Sequence, residues 1–252
     1  MQDAEDPRAL VHAALLAPSP LERYRAGPTR RAIHGDVLLV AGPDFRHVLV
    51  LGPAAPERVF ALARTFFEPA SGFSVEVEVE SAGAMERELR ARNWRLDEDE
   101  PALVLLDIPA KPPSGPADLC ICPVTDGAGL AAFQEVSAAS VCHVPSLAAA
   151  TDPAVALFVG YVAGQPVATA RLTCLGRVAE IMGVTTASEF QRRGYGTALT
   201  WAAIAEGARH GCTAAMLTAT AMGYRVYLRM GFRPVCTYRT YLPPDEPFVI
   251  EA

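Results

Sequence analysis

Apolar and polar residues alternate strictly over Phe73–Glu80, with three valines on one side and three glutamates on the other. This period of two predicts a half-buried strand with a charged outer face. Similar runs, and apolar residues at helical spacing, predict the other elements of the first half: a helix at Ala9–Leu16, a hairpin of Val37–Ala41 and His47–Leu51, a helix at Glu57–Phe67, a helix at Met85–Arg92 and a strand at Ala102–Ile108.

The second half of the chain predicts a longer series of elements. They are strand Leu119–Pro123, helix Gly127–Val141, strands Ala156–Val162 and Pro166–Leu175, strand Arg177–Thr186, helix Gly196–His210, strand Thr213–Thr218, a helix ending at Met230, and strands Phe232–Cys236 and Thr237–Leu242. The segment 177–218 therefore reads as strand, helix, strand. Its two strands should be parallel, with a right-handed crossover between them.

The best domain boundary is a proline-rich stretch, because four prolines fall within Pro109–Pro116. Such a segment is stiff and extended. We therefore expect an N-terminal domain at 1–110, a linker at 111–117 and a C-terminal domain at 118–252.

Composition narrows the class of protein. Of the 252 residues, 51% are hydrophobic and 20% charged, which is typical of a globular domain with a sizeable core. The net charge of −6 argues against nucleic acid as the main partner. The whole negative excess lies in residues 1–110, with 18 acidic and 12 basic residues; it either attracts a cationic ligand or only keeps a surface solvated.

The cysteines and the chain start predict where the protein works. Six cysteines form no paired framework, and the first residues lack a signal-peptide pattern. No apolar run approaches the ~18 residues of a membrane span. We expect a cytoplasmic protein with free thiols. Cys120 and Cys122 would share one face of a strand, but a metal clip normally needs a second pair, so no metal is predicted.

The stretch Ser188–Thr200, SEFQRRGYGTALT, carries the most specific chemistry. A glycine-bearing turn before a helix offers free backbone N–H groups to a phosphate. A P-loop would need a lysine where Thr197 stands, and a dinucleotide fingerprint would need a glycine where Leu199 stands. The remaining pattern is [Q/R]-x-x-G-x-[G/A], which Gln191–Gly196 matches at every fixed position.

With this motif, the sequence resembles the GNAT superfamily of acyl-CoA-dependent N-acyltransferases. The preceding strand carries Glu180–Val184, and Tyr227–Phe232 looks like the family's closing Y-x-x-x-G-F. The resemblance covers roughly 117–243. It implies an α/β (α+β) GNAT fold, with a mixed central sheet flanked by helices.

The resemblance also implies a site for acetyl-CoA. In this family the motif's backbone amides hold the coenzyme A pyrophosphate, which here implicates Arg192, Arg193, Gly194, Tyr195, Gly196 and Thr197, with Gln191 flanking. The end of the preceding strand, Val184, Thr185 and Thr186, would bond the pantetheine and polarise the thioester carbonyl. In the family this strand and the parallel strand beside it, here 177–186 and 213–218, splay apart to admit the pantetheine.

Two side chains are implicated in catalysis by the same resemblance. Tyr227 matches the tyrosine that protonates the departing thiolate, and Glu180 stands where some members have a general base. The alternatives are a tyrosine packed under the sheet and a glutamate with a structural partner. The family often has Asn seven positions before the tyrosine; Thr220 stands there, and its hydroxyl can make one such contact.

The first half resembles a reduced copy of the second, an N-terminal degenerate GNAT-like unit. Leu89–Arg95 parallels Tyr227–Arg233: a helix end, a residue tolerant of positive φ, an aromatic residue, an arginine and then a strand. The copy lacks the phosphate loop and has Leu89 in place of the tyrosine. We expect it to shape the substrate cleft or to serve as scaffold.

The predicted function is transfer of acetyl from acetyl-CoA to a primary amine of a small molecule or peptide, in a ternary complex. The alternative is a GNAT fold that senses acyl-CoA without turnover. No nucleic acid, membrane or metal is expected as a partner, and a homodimer is possible. The sequence does not name the amine.

Overall fold

The computed structural model describes residues 6–24, 28–43, 45–68, 72–138 and 146–244. The helices are α1 Pro7–Leu16, α2 Pro56–Phe67, α3 Gly83–Ala91, α4 Gly127–Ser137, α5 Leu147–Ala150, α6 Tyr195–Arg209 and α7 Ala221–Arg229. The strands are β1 Arg30–His34, β2 Val37–Ala41, β3 Arg46–Val50, β4 Ser74–Glu78, β5 Arg95–Leu105, β6 Leu119–Pro123, β7 Val155–Val162, β8 Gln165–Leu175, β9 Val178–Thr186, β10 Ala214–Thr218 and β11 Arg233–Leu242. None of the helices in these described ranges combines the length and apolarity that crossing a bilayer requires.

Packing divides the chain into two compact units that are not contiguous in sequence. Unit 1 comprises 1–24 and 103–234, and unit 2 comprises 25–102 and 235–252. Residues 1–24 therefore belong to the same unit as most of the second half of the chain, and residues 235–252 belong to the unit formed by 25–102. The linear division predicted from the proline-rich stretch assigns each of these two terminal segments to the other domain. The linear division into 1–110, 111–117 and 118–252 remains a prediction. The two units are defined differently, by which residues contact one another within each unit.

Unit 1 is built on a mixed sheet in which β6, β7, β8, β9 and β10 are successive neighbours. All of these pairs are antiparallel except β9 with β10, which is parallel as the βαβ pattern predicts. Helix α6 buries Leu199 and Ile204 against Leu172 of β8 and Ile181 of β9. The side chains next to Leu172 on β8 and next to Ile181 on β9 point to the opposite face of the sheet, because side chains alternate along a strand. There, Phe133 of α4 packs on β7.

Unit 2 repeats the same supersecondary pattern. Strands β3 and β4 are parallel and joined by α2, as β9 and β10 are joined by α6. Helix α3 is followed by Asn93 with φ of 60°, and α7 by Gly231 with φ of 96°. These parallels support the interpretation of the N-terminal unit as a reduced GNAT-like copy. Its strand order, β1-β2-β3-β4-β11-β5, includes the last strand of the chain.

Several predicted elements differ from the structure in ways that have physical causes. The basic residues 30–34 form β1, which pairs with β2 across the turn at Gly35. Strand β5 begins at Arg95, seven residues before the predicted start at Ala102, and includes the acidic run 97–100. The last two predicted strands are one strand, β11. Helix α4 ends at Ser137, and part of its predicted extension to Val141 lies outside the described residues.

The expected charged outer face of β4 is only partly present. Glu80 lies past the end of the strand and is exposed, whereas Glu76 is half-buried and Glu78 is fully buried. A strict alternation gives the two faces of a strand, but it does not show whether the polar face meets water. The buried glutamate is therefore a correction to the sequence interpretation.

Candidate active site

A β-bulge at Gly183 bends the strand that leads to the motif. Strand β9 pairs with β8 at Met182↔Arg171 and again at Thr185↔Thr169, so two β9 residues lie opposite one β8 residue. Gly183 has φ of 59°, in the left-handed region that favours glycine. Bulges of this kind increase the local twist and redirect the strand.

Strands β9 and β10 stop pairing three residues before the bulge. Their parallel ladder ends at Glu180↔Met216, although β9 continues to Thr186 and β10 to Thr218. Within the described part of the chain, alternate N–H and C=O groups of β9 therefore face a gap on the β10 side. Backbone groups in such a gap need polar partners, which a ligand with amide groups can supply. An early end of this ladder is what the splay implied by the GNAT resemblance would require.

Two buried hydroxyls hold the bulge. The Thr169 hydroxyl donates to the Gly183 carbonyl at 3.1 Å, and Ser137 Oγ of α4 lies 3.4 Å from Thr169 Oγ1. Because the Thr169 proton goes to Gly183, Ser137 is the donor in the second contact. No sequence pattern pointed to these two residues, since their partners are remote along the chain.

The predicted phosphate motif forms the turn between β9 and α6. Arg192 has φ of 62° and Gly194 has φ of 85°, so both lie in the left-handed region. Gly194 is the N-cap of α6 and has no side chain to satisfy the first helical amides. Left-handed residues curl successive N–H groups toward one side, as in anion-binding concavities. The amides of Tyr195, Gly196 and Thr197 begin a helix and lack intrahelical acceptors.

The side chains of the motif mostly hold the turn itself. Gln191 Nε2 donates to the Thr186 carbonyl at 3.2 Å. The Arg193 guanidinium donates to the Glu189 carbonyl at 3.0 Å and covers the Phe190 ring, with its central carbon 5.2 Å from the ring centroid. Arg192 is exposed. The backbone, rather than these side chains, is thus the part of the motif that is offered to a ligand.

Tyr195 contributes to the site only through its amide. Its side chain is buried, and its hydroxyl donates to Asp118 at 2.6 Å. The hydrogen bond to Asp118, together with burial, raises the pKa of Tyr195 above its usual value. The bond ties the start of α6 to the segment before β6. Asp118 is a positioning residue that the sequence could not reveal, because it lies 77 positions from its partner.

Gly196 places the start of α6 close to the end of β9. A Cβ added at Gly196 would stand 3.4 Å from Thr186 Oγ1 and 3.6 Å from Val184 Cγ1. The predicted cofactor residues of β9 and those of the turn therefore lie together. Val184, Thr185 and Thr186 are all half-buried, which leaves them partly accessible.

Tyr227 lies on α7, the helix that follows β10. Its ring packs against the core of unit 1 and makes an edge contact with Phe232, with centroids 5.9 Å apart. The ring remains half-buried, so it is neither free in solvent nor enclosed. Thr220 is the N-cap of α7, where its hydroxyl accepts from the Gly223 amide at 3.3 Å. That bond gives Thr220 a structural role, and its hydroxyl proton remains able to contact a cofactor.

Glu180 lies where the β9–β10 ladder ends. It pairs with Thr173 of β8 and is half-buried. Alternation places it on the sheet face opposite α6, with Arg171 and Met182. Helix α1 packs against the same strand. The side chain thus sits beside the gap, on the face that does not hold α6.

Metal-ligand clusters are not seen in the ranges that the structure describes, where three or more His, Cys, Asp or Glu side chains do not converge. Five cysteines in those ranges are free, and Cys142 lies outside them.

Comparisons with known proteins bear on the fold rather than on single site residues. Residues 131–232 match the sequence model of the Acetyltransferase (GNAT) family. The matched segment includes α6, the motif, Glu180 and Tyr227. The chain has no match among curated protein sequences.

The structural likeness extends over both units. A GCN5-related N-acetyltransferase from Kribbella flavida aligns with a TM-score of 0.74 at 20% identity, covering 96% of this chain and 98% of that one. A GCN5-related N-acetyltransferase from Sphaerobacter thermophilus aligns at 0.58 and 17% identity, covering 84% and 81%. A tandem GNAT protein from the clavulanic acid biosynthesis pathway aligns at 0.58 and 13% identity, covering 98% and 97%. At such identities the likeness establishes the GNAT fold alone.

Proposed function

We propose that the protein is an acyl-CoA-dependent N-acyltransferase that transfers acetyl from acetyl-CoA to a primary amine of a small molecule or peptide. One observation carries the proposal: the bulged strand β9 leaves β10 at Glu180 and ends against the open N-terminus of α6. This arrangement brings together two sets of backbone groups, those at the end of β9 and the first amides of α6; between them, the amides of Ala187 and Phe190 donate within the chain. Two such sets suit an elongated ligand that carries amides at one end and phosphates at the other.

The residues present fit coenzyme A. The amides from Arg192 to Thr197 would hold its diphosphate, because the positive end of the α6 dipole and unpaired N–H groups converge there. The backbone groups of Val184–Thr186 that face away from β8 would bond the pantetheine amides, beside the Thr186 carbonyl that accepts from Gln191. The bound thioester supplies the acyl group. Fixed N–H donors on β9 stabilise negative charge on a carbonyl oxygen more effectively than water does, since they need no reorganisation.

Tyr227 and Glu180 supply the proton chemistry in this proposal. A phenol, with an ordinary pKa of about 10, can donate a proton to a thiolate of similar basicity. An amine must be neutral before it attacks a carbonyl, so a carboxylate near the gap removes its proton directly or through water. Attack in a ternary complex needs no covalent intermediate on the enzyme.

The alternative function is an acyl-CoA sensor that binds without turnover. It is favoured by the half-buried ring of Tyr227, which packs on Phe232 in the manner of a structural side chain. A sensor would bind coenzyme A at the same backbone groups and transfer nothing. The two proposals therefore share a site and differ only in catalysis.

The deciding experiment combines calorimetry with an amine panel. The wild-type protein should bind coenzyme A saturably and release thiol from acetyl-CoA with at least one primary amine. Tyr227→Phe should retain binding and lower kcat about 10²-fold. Tyr224→Phe is the matched control, since Tyr224 is a half-buried tyrosine of the same helix. Binding without turnover across the panel would support the sensor, and absence of binding would contradict both proposals.

Glu180→Gln tests the base separately. If Glu180 removes the amine proton, the variant loses activity mainly at lower pH, where the amine is most protonated. A rate unchanged at every pH would assign Glu180 to structure. Glu135→Gln, which changes an exposed glutamate of α4, is the control.

A further inference from the structure

Two thiols face each other on the edge strand of the unit 1 sheet. Cys120 and Cys122 lie on β6, which pairs with β7 on one side only in the described sheet. Because they are two positions apart on a strand, both side chains project from the same face. Their sulfur atoms are 3.8 Å apart. Cys120 is exposed and Cys122 half-buried, so solvent reaches the pair.

The pair is badly placed to close into a disulfide. Residues two apart on an extended strand have Cα atoms about 6.6 Å apart. That separation is near the upper limit of disulfides, which prefer about 5.5–6 Å. Closing the bond would require the sulfurs to approach to about 2.05 Å and would pucker β6 out of its ladder with β7. The paired strand therefore favours the dithiol form.

The same spacing suits an atom that bridges the two sulfurs. Metal–thiolate bonds to zinc are about 2.3 Å, and two such bonds at a tetrahedral angle hold their sulfurs about 3.8 Å apart. We propose that Cys120 and Cys122 form a bis-thiolate site for a soft, closed-shell metal cation of the zinc, cadmium or copper(I) type. Thiolates select soft cations over magnesium or calcium. Water or an external thiol completes the coordination.

Binding is a substitution of protons by metal. Each thiol loses its proton to the buffer and each sulfur forms one bond to the cation, so a divalent ion displaces two protons. No oxidant or reductant takes part. The apparent affinity should therefore increase with pH until both thiols are deprotonated.

Cadmium is a suitable probe, because its thiolate complexes absorb in the ultraviolet. Reduced full-length protein, freed of added thiols, should take up one Cd²⁺ per chain with a thiolate-to-metal absorption band and release two protons. Cys120→Ser and Cys122→Ser should each weaken binding about a hundredfold, because the second sulfur acts at high effective concentration. Folding of both variants is checked by thermal unfolding.

Cys174→Ser and Cys142→Ser serve as controls for the other cysteines. The proposal predicts that both bind Cd²⁺ as the wild type does. It is overturned if the wild type shows no band, or if the band survives Cys120→Ser and Cys122→Ser. It is also overturned if mild peroxide treatment links Cys120 and Cys122 in a disulfide without disturbing β6, since the spacing argument would then fail.

Discussion

The ring of Tyr227 lies over the Cα of Gly223, one helical turn earlier. A Cβ added at Gly223 would stand 2.9 Å from Tyr227 Cε2, closer than carbon atoms pack. Gly223→Ala should therefore displace the ring while leaving the fold intact, because alanine is favoured over glycine in a helix by about 1 kcal/mol. We expect kcat to fall about tenfold, with coenzyme A affinity and melting temperature maintained.

Gly127→Ala is the matched control for Gly223→Ala. Gly127 also lies in a helix, but a Cβ there would meet open space. This variant should keep full activity. If Gly223→Ala were as active as the control, the position of the Tyr227 ring would not matter to catalysis, and the acid role assigned to it would be wrong.

The glycines of the motif should matter more to coenzyme A binding than the arginine. Gly196→Ala fits the protein, since its Cβ would be 3.4 Å from Thr186 Oγ1, so any loss of affinity reports on the approach of the ligand. We expect the Kd measured by calorimetry to rise about tenfold or more for Gly196→Ala and only a few-fold for Arg192→Ala. Equal effects, or a larger effect of Arg192→Ala, would place the binding energy in the side chain.

Gly194→Ala should impair both stability and binding. With φ of 85°, an alanine at position 194 costs about 1–2 kcal/mol of strain. Gly211→Ala separates the two effects, because Gly211 has φ of 88° at the other end of α6 and open space around it. The control should be destabilised to a similar degree in thermal unfolding and should still bind coenzyme A normally. A matching loss of affinity in the control would show that strain alone weakens binding.

Tyr195→Phe should separate the two roles of the motif's tyrosine. The variant loses the bond to Asp118 and should unfold a few degrees lower, yet the amide of residue 195 remains in place. Coenzyme A affinity should stay within about twofold of the wild type. A large loss of affinity at unchanged stability would mean that the hydroxyl, rather than the backbone, serves the ligand.

Glu86 in unit 2 should make stability sensitive to acid. Burial by itself raises the pKa of Glu86, but hydrogen bonds from Tyr241, Arg239 and Arg90 outweigh it and lower the pKa below its ordinary value. The stabilisation is therefore present above the ordinary glutamate pKa of about 4.3 and is lost as pH falls through the lower folded value. Glu86→Gln should cost about 1–3 kcal/mol at pH 7 and should flatten this acid limb.

Glu88→Gln is the control on the same helix. Glu88 pairs with Arg92 at 2.6 Å, but both side chains are substantially exposed. Exposed pairs contribute little to stability, so this variant should unfold at nearly the wild-type denaturant concentration. Stability curves for both variants from pH 3 to pH 7 would check the prediction, and an unchanged acid limb in Glu86→Gln would refute it.

The sequence predicted what local patterns determine. The helix following Gly194, the parallel pairing of β9 with β10 and the cap at Gly231 all follow from short stretches of sequence. The residues assigned to binding on β9 and on the turn lie together, as the family resemblance implied. Their roles in binding and catalysis stay predictions until the variants above are measured.

Contacts between residues far apart in the chain could not be predicted from the sequence. Nothing near Tyr195 points to Asp118, and nothing near Gly183 points to Thr169. The burial of Glu78 was missed for a related reason. Alternation shows which residues share a face of a strand, but remote segments of the chain decide whether other residues pack over that face. The continuity of β11 was missed because its pairing with β4 joins residues 160 or more positions apart in the chain.

The position of β11 between β4 and β5 also affects when the strands of unit 2 can all pair during synthesis. Unit 2 is mostly encoded early in the chain, yet its strand order includes a strand from the last twenty residues. A chain emerging from the ribosome exposes the edges of β4 and β5 throughout the synthesis of everything between them. Unit 2 therefore cannot complete its strand order before residues 233–242 are made, and a chain released earlier would lack the strand that lies between β4 and β5.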